Sequence, residues 1–175
     1  MDSSEEKNSS GTACEFQENL EILRQIDFFA GLPMETLKVF AYLCARESFT
    51  REEYLYSQDD DDGQAFYILS GQLHLIHEAE GRELTVGRYG AGEFIGGLSL
   101  LGSTQRLFAL KAGEDTACLV LTREKFAKAI EQFPELIPKI FKSVVDRIRS
   151  WDQDRLFEMM EKGLSLEGAT GISAL

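Results

Sequence analysis

The hydrophobic residues near the N-terminus recur at helical spacing. Apolar positions three and four residues apart predict a first helix from about Glu15 and a second from about Pro33. The apolar positions are Phe16, Leu20, Leu23 and Ile26 in the first helix and Leu37, Phe40, Ala41 and Cys44 in the second. Residues 1–13 are rich in Ser, Glu and Gly and have little to bury, so we expect them to be disordered.

From about residue 49 the pattern changes to short apolar runs separated by Gly and Asp turns. The runs are rich in β-branched and aromatic residues, which is typical of strands. The predicted strands are 54–57, 65–70, 72–77, 83–89, 107–112 and 116–121. So many short strands predict a mainly β fold with flanking helices, in the α+β class, built as a double-stranded β-helix jelly roll. We place this domain, with its N-terminal helices, in residues 15–133.

The C-terminal third returns to helical periodicity. Thr122 is a suitable N-cap for a helix over 123–132, which Phe133-Pro134 ends. A long helix is predicted within 134–162, and the tail at 163–175 is expected to be loose. An apolar seam follows this helix: Ile137, Phe141, Val144, Ile148 and Trp151. At about 40 Å the helix exceeds what one small barrel covers, so we expect it to pair with a partner such as its own copy.

Composition limits the classes of partner. The 175 residues fit one domain with a core of its own. Thirty acidic residues against 18 basic ones give a net charge of −12, which opposes binding to nucleic acid and to anionic membranes. The sequence has no apolar run of about 20 residues, the length that spans a bilayer. Its acidic N-terminus is unlike a signal peptide, so we expect a cytoplasmic protein.

Residues 90–109, which we call the cassette, carry the main candidate chemistry. Glycines there let the backbone approach a ligand closely, and a short apolar helical turn follows them. Arg106 then offers a cationic fork that suits a phosphate group. Tight turns explain the glycines equally well, and Arg106 could instead be a surface arginine at a strand edge. The candidate ligand-binding residues are Gly96, Gly97, Leu98, Ser99 and Arg106.

The cassette resembles the phosphate-binding cassette of cyclic-nucleotide-binding domains, which runs Gly-x-Gly-Asp-x-Phe-Gly-Glu-Leu-Ala-Leu-Leu and then reaches an arginine. Arg106 lies nine residues after Gly97, which is the family's spacing. Other similarities follow in the family's order: Phe-Ala-Gly-Leu-Pro at 29–33, Phe-Tyr-Ile-Leu-Ser-Gly at 66–71 and Phe-Pro-Glu-Leu at 133–136. From 26 to 154 the chain looks like a sensor domain of the bacterial CRP/FNR type. The resemblance implies an eight-stranded jelly roll flanked by helices.

The resemblance also implies roles for individual residues. Arg106 would pair with the cyclic phosphate, together with the backbone N–H groups near Leu98 and Ser99. Gly97 stands where the family has a glutamate that holds the ribose hydroxyl. Losing a hydrogen bond to a charged group, worth about 1.5–3 kcal/mol, weakens binding about tenfold to a hundredfold. We therefore expect cAMP or cGMP to bind weakly or not at all, and no cofactor.

Two further departures concern the walls of the pocket. Leu107 and Phe108 replace the small residues that the family usually has after the arginine, and they could narrow or fill the site. If the pocket is otherwise open, Gly97→Glu should raise the affinity for cyclic nucleotides.

Other polar clusters have structural explanations. The aspartates at 59–62 and Gly63 fail the EF-hand pattern and are expected to form a solvated hairpin loop. His74 and His77 lie in one predicted strand on opposite faces, which makes them poor joint metal ligands. No metal site and no catalytic motif are predicted, so we do not expect an enzyme. The widely spaced cysteines predict reduced thiols: Cys14, Cys44 and Cys118.

Two functions remain open. The first is a regulatory, signal-transducing module that senses a small anionic ligand through Arg106 and the cassette amides, in a homodimer joined by the C-terminal helix. Trp151 could then cover a bound base as a lid, although a core position between helices explains it too. The second is a degenerate domain that serves as a structural or protein-interaction module. CRP/FNR transcription factors carry a helix-turn-helix after this helix, whereas about a dozen residues follow it here, so promoter binding would need another chain.

Overall fold

A computed structural model of the chain describes residues 5–79 and 81–161. Within them, eight strands form two four-stranded sheets, in the orders β1-β8-β3-β6 and β2-β7-β4-β5, and every neighbouring pair is antiparallel. The strands are β1 (Ala45–Phe49), β2 (Tyr54–Tyr56), β3 (Gln64–Ser70), β4 (Gln72–Ala79), β5 (Arg82–Gly90), β6 (Phe94–Ile95), β7 (Ala109–Ala112) and β8 (Thr116–Thr122). The prediction of a jelly roll with flanking helices is confirmed.

Four α-helices flank the described sheets: α1 (Glu5–Gln25), α2 (Met34–Leu43), α3 (Arg123–Gln132) and α4 (Ile137–Glu161). Short 3₁₀ turns lie at Asp27–Phe29, Gly97–Leu100 and Pro134–Leu136. The predicted cap of α3 is present, because the Thr122 side chain accepts a hydrogen bond from the Lys125 backbone N–H at 3.4 Å. Helix α3 has the predicted bounds, and α4 begins after the Phe133-Pro134 break.

The N-terminal segment differs from its prediction. Helix α1 begins at Glu5, so the disorder predicted for residues 1–13 does not hold for 5–13, and residues 1–4 lie outside the described part. Extending a helix that already exists needs no new nucleus. Leu20 and Leu23 bury the C-terminal half of α1, and Glu, Lys and Ala in its first half are good helix formers. The predicted loose tail at 163–175 lies outside the described residues.

Two strands were not predicted. Strand β1 reads Ala-Arg-Glu-Ser-Phe and has three exposed residues in its middle, so it has little hydrophobic signal. It forms because all five of its residues pair with β8, from Ala45↔Val120 to Phe49↔Thr116. Strand β6 has only two residues, which pair with Phe66 and Tyr67 of β3. The strand predicted over 107–112 begins at Ala109.

The described core has two parts, on the two faces of the sheet that contains β3. On one face, Ala65 of β3 and Leu121 of β8 pack against the helices. In this part of the core Phe40 stacks on Phe126, with ring centroids 5.4 Å apart. Phe66 faces the opposite way, into a cluster that draws on both sheets. The buried members of that second cluster are Tyr56, Phe66, Ile68, Leu73, Leu110, Ala112, Cys118 and Val120.

Helix α4 is attached to the domain near its start. Ile140 is buried, and the Ser143 hydroxyl donates to the Asp27 carbonyl oxygen at 2.7 Å. In the predicted apolar seam, Ile137 and Phe141 are exposed to 55% and 69%. Val144 and Ile148 are half-buried. None of the described helices is long and apolar enough to cross a membrane.

The cysteines agree with the prediction of reduced thiols over the described residues. All three are free, and Cys118 is buried while Cys14 is exposed. Burial raises the pKa of Cys44 and of Cys118 to about 12, because a low-dielectric environment disfavours the thiolate. These two thiols therefore stay protonated and act as small apolar groups.

Candidate functional site

The centre of the cassette is a sharp turn that only glycine fits. After β6 the chain turns at Gly96, whose φ of +86° lies in the left-handed region. A Cβ on Gly96 would lie 2.7 Å from the Gln64 carbonyl oxygen and 3.0 Å from Nη1 of Arg106. The glycine therefore lets the cassette backbone lie directly against the arginine side chain, whereas the sequence predicts a close approach to a ligand.

Arg106 is not a surface arginine. Its side chain is only 10% exposed. The backbone N–H of Arg106 donates to the Asp60 carbonyl, and its carbonyl accepts from Asp59 N–H, both at 2.8 Å. The guanidinium carbon lies 4.0 Å from the ring centroid of Tyr56, in a cation–π contact.

The guanidinium already has a counterion within the chain. Nε of Arg106 donates to Oδ1 of Asp62 at 2.6 Å and Nη2 donates to Oδ2 at 2.9 Å. Nη2 also donates to the Gln64 carbonyl oxygen. The fork that the sequence assigns to a bound phosphate is thus occupied by Asp62, and Nη1, beside Gly96, has no hydrogen-bond partner among the described residues.

The loop at 59–62 is more than the solvated hairpin loop that the sequence predicts. Besides Asp62, its Asp61 accepts hydrogen bonds from the Ser103 hydroxyl, from Nη2 of Arg123 and from Thr104 N–H, the last at 3.3 Å. Nε of Arg123 donates to the Ser99 carbonyl oxygen at 2.7 Å. These bonds tie the aspartate loop, the cassette and the start of α3 together.

The predicted backbone donors differ from one another. The Ser99 N–H donates to the Gly96 carbonyl at 2.9 Å within the 3₁₀ turn, so it is already engaged. No hydrogen bond of the Leu98 N–H is found within the described part of the chain, and the Leu98 side chain is 58% exposed. Leu98 is therefore the better candidate of the two for an anion donor.

Gly97 faces the helices. A Cβ there would lie 2.9 Å from Cε1 of Phe94 and 3.0 Å from Cδ2 of Phe28. These two rings pack together with centroids 5.7 Å apart. The position that carries the ribose-binding glutamate in the resembled family is thus closed by aromatic packing. The expectation that Gly97→Glu restores a sugar contact does not fit this geometry.

The bulky residues after Arg106 do not act as a pair. Leu107 is 78% exposed, so it points to solvent and does not fill the site. Phe108 packs edge-on against His77, with ring centroids 5.8 Å apart. His74 instead lies 3.0 Å from the Gln72 side-chain oxygen, so the two histidines have different neighbours. The side chain of Trp151 lies outside the described residues.

The groups that the cassette presents are hydrogen-bond donors, which suit an anion better than a metal ion. Among the described residues, no group of three or more His, Cys, Asp or Glu side chains could hold a metal ion. What the cassette offers is a buried guanidinium, a close backbone and one open guanidinium nitrogen. A sequence model of the cyclic nucleotide-binding domain matches residues 46–133, which are 88 of the 175 residues.

This chain belongs to the cyclic nucleotide-binding domain family. The CRP/FNR-type resemblance stated from the sequence is confirmed. The catabolite activator protein of Thermus thermophilus is 26% identical, with a TM-score of 0.60 over 78% of this chain and 63% of that one. The regulatory domain of Toxoplasma gondii PKA, solved with cAMP, is 23% identical, with a TM-score of 0.60 over 65% of this chain and 44% of that one.

Curated relatives include a much longer protein. Lysophospholipase NTE1 of Phaeosphaeria nodorum is 28% identical over 123 residues, which make up 70% of this chain. The chain spans about 8% of the length of that relative. The match therefore concerns one domain of the relative and not the whole protein.

Sequence reasoning missed the partners of the cyclic nucleotide-binding cassette. It found Arg106 and Gly96 from their spacing, but not Asp62, Tyr56 or Gln64, which surround the guanidinium. The run of aspartates was the available signal, because four adjacent like charges repel one another unless cations lie near. Nothing in the sequence indicates which cation each carboxylate meets.

We expect Gly97→Glu to destabilise this domain by about 1–3 kcal/mol, because the new side chain must displace Phe28 or Phe94. Urea unfolding measures the effect. Gly102→Glu is the matched control, since a Cβ at Gly102 meets nothing within 4 Å. A Gly97→Glu variant that is as stable as wild type and binds cAMP more tightly would contradict this account of the site.

The Asp61 links predict a specific acid sensitivity. Hydrogen bonds from Arg123 and Ser103 favour the ionised carboxylate and lower the pKa of Asp61 from 3.8 to about 2. Because the pKa is lower in the folded state, the stabilisation is present above the unfolded-state pKa and is lost as the pH falls towards 2. We expect Asp61→Asn to be less stable than wild type at neutral pH and equal to it near pH 2.

Urea midpoints measured across this pH range check the prediction. Asp59→Asn is the matched control, because it removes the same charge from the same loop and none of the hydrogen bonds that Asp61 accepts. A deficit of Asp61→Asn that persists unchanged near pH 2 would show that the carboxylate charge is not the cause.

Proposed function

We propose that this chain is a regulatory module that senses a small anionic ligand, with a cyclic nucleotide such as cAMP or cGMP as the first candidate. The observation that carries the proposal is the buried guanidinium of Arg106, whose Nη1 is open beside the Gly96 backbone. Family membership supports it. So does the related Toxoplasma gondii domain, which was solved with cAMP.

The ligand is held by fewer contacts than the cassette pattern implies. Asp62 takes two of the three guanidinium nitrogens, and Gly97 supplies no carboxylate for a ribose hydroxyl. Leu98 N–H adds one backbone donor, and Ser99 orders the turn through its bond to Gly96. The missing ribose bond alone lowers affinity by about tenfold to a hundredfold, which places the ligand among weak binders.

A ligand signal has a physical path to the helices. The short 3₁₀ turn Asp27–Phe29 touches the cassette through Phe28, which packs on Phe94. The same turn touches α4, since the Asp27 carbonyl accepts from Ser143. A ligand that favours one arrangement of the cassette therefore shifts the position of this turn against α4. Trp151, in α4, remains a proposed lid.

We propose a non-enzymatic role, since the matched family is a ligand-binding domain. The lysophospholipase activity in the relative's name belongs to a protein of which this chain spans about 8%. We also propose a cytoplasmic location, which the three free cysteines favour. With a net charge of −12, the chain is not proposed to bind nucleic acid or a membrane surface.

A second candidate is a degenerate interaction module without a small-molecule ligand. The specific observation in its favour is the Asp62 carboxylate, which neutralises Arg106 from within the chain. The closed position at Gly97 points the same way.

Substitution of Arg106 separates these two functions. We expect cAMP to raise the unfolding temperature of wild type, with a gain of about 2.7 kcal/mol at 100 times the dissociation constant. Arg106→Gln should abolish this gain, because it removes the open guanidinium nitrogen beside Gly96. Arg51→Gln, an exposed arginine with the same change of charge, should keep it. Differential scanning fluorimetry with cAMP, cGMP, other nucleotides and small anions measures the effect.

Folding is the control in this experiment. Arg106→Gln leaves Asp62 buried without its partner, which costs about 3–5 kcal/mol for a fully buried pair. Arg106→Lys keeps a cation for Asp62 but lacks the planar fork, so it should fold and bind about tenfold more weakly. Wild-type binding in both variants would refute a ligand at Arg106. If none of the tested ligands raises the unfolding temperature of wild type, the degenerate module is favoured.

We further propose that α4 joins two copies of the chain. Ile137 and Phe141 are exposed to 55% and 69%, and Val145 to 37%, along a helix about 37 Å long. Exposed apolar residues on one helix are stabilised when a second helix covers them.

Introducing a negative charge on α4 tests the dimer. Phe141→Glu should give a monomer in sedimentation equilibrium, because the new carboxylate would be buried between helices. Ser150→Glu lies nine residues along, half a turn round the helix, and should leave the dimer intact. A wild-type chain that sediments as a monomer, or an unchanged dimer with Phe141→Glu, would rule out this interface.

A further inference from the structure

The cassette arginine is paired with a carboxylate of its own chain. The side chains of Arg106 and Asp62 are only 10% and 11% exposed, and they form a bidentate salt bridge with two hydrogen bonds. The cation and the carboxylate cancel, so a ligand approaching Nη1 meets a neutral pair and not a free positive charge. A negative ligand at Nη1 would also lie close to the Asp62 carboxylate, which is bound to Nε and Nη2 of the same guanidinium.

Asp62 is fixed in this position. Its Oδ2 also accepts a hydrogen bond from the Gln64 backbone N–H at 3.2 Å. Two backbone hydrogen bonds between Arg106 and residues 59 and 60 hold the loop on one side. On the other side Gly63 has a φ of +65°, and a Cβ there would lie 3.1 Å from Cζ of Arg123. These contacts hold the loop backbone, and the carboxylate cannot move away without breaking its hydrogen bonds to Arg106 and Gln64.

We propose that Asp62 is a specificity-determining residue that limits the negative charge of the ligand at Arg106. This inference rests on the proposed function of Arg106 as the anion-binding residue. Because Asp62 cancels the charge of Arg106, the second negative charge of a phosphomonoester gains no attraction at this pair and still loses hydration, so the site favours a singly charged phosphodiester. Asp62 repels each negative charge of the ligand, so a dianion is repelled more strongly than a monoanion. The open Nη1 offers the same single donor nitrogen to either ligand.

The competing role for Asp62 is positioning. A carboxylate that only aims the guanidinium would make binding weaker when it is removed, for ligands of either charge. A carboxylate that sets the permitted charge makes binding tighter when it is removed, and most of all for the dianion. Asn is close in size to Asp and its oxygen can still accept from Gln64 N–H and from Arg106. Asp62→Asn therefore changes the charge with little change in shape.

The test compares 5′-AMP with cAMP by titration calorimetry at pH 7.5 and low salt. The phosphate of 5′-AMP is a dianion there, because its second pKa is about 6, and that of cAMP is a monoanion. We expect Asp62→Asn to bind cAMP about tenfold more tightly and 5′-AMP about a hundredfold more tightly than wild type does. For each ligand, the affinity of Asp62→Asn is divided by that of wild type. The difference in shape between the two ligands then cancels.

Two variants serve as controls. Asp59→Asn removes one charge from the same loop, at an exposed residue with a φ of +68° that Asn also adopts, and should change either affinity by no more than about twofold. The double variant Asp62→Asn/Arg106→Gln removes both members of the pair and should lose the gain. Unfolding temperatures without ligand show that each variant is folded.

Each outcome separates this inference from the proposed function. Suppose that wild type binds cAMP, and that Asp62→Asn binds cAMP and 5′-AMP no more tightly than wild type does. The inference about Asp62 is then overturned and the proposed function stands. If wild type binds neither ligand but Asp62→Asn binds 5′-AMP through Arg106, the inference stands and the proposed function of the natural chain fails. If neither protein binds either ligand, both fail.

Discussion

A guanidinium that is nine-tenths buried needs a counterion, and the arrangement of the cassette follows from how this chain supplies one. Asp62 meets Arg106 with two hydrogen bonds, and Tyr56 and the Gln64 carbonyl contact other parts of the guanidinium, while Nη1 stays open beside Gly96. Burying an isolated cation is very costly, so the arginine and the aspartate loop hold each other in place. Gly96 fits against this packed arginine because it has no Cβ, which would lie 3.0 Å from Nη1.

The site is continuous with the helical part of the core. Arg123 links the aspartate loop to the Ser99 carbonyl and is also the first residue of α3. Phe28 packs on Phe94 and Phe126, so the aromatic cluster reaches from the cassette to α3. Cassette, loop and helices therefore form one packed unit. Contiguous packing of this kind is a physical route by which a change at the arginine could reach the elements that flank the sheets.

The fold could be predicted from the sequence where local pattern and tertiary structure agree. Most strands were found, because their apolar residues alternate, and α3 was found with its Thr122 cap. The polar strand β1 and the two-residue strand β6 were not, because pairing with β8 and β3 forms them and no local preference does. The start of α1 was missed for the related reason that a packed helix extends into a polar segment.

By itself the sequence determined the jelly-roll class, the position of the cassette and the importance of Arg106, because periodicity and motif spacing are local properties of the chain. Only the tertiary structure decided what Arg106 contacts. Asp62 lies 44 residues earlier in the chain, and the Gln64 carbonyl and the Phe28 ring reach the cassette from other elements. Charge cancellation and steric closure depend on distances in space, which residue spacing does not specify. The cassette motif therefore indicates ancestry and a candidate anion site, while the folded chain sets the charge and the space at that site.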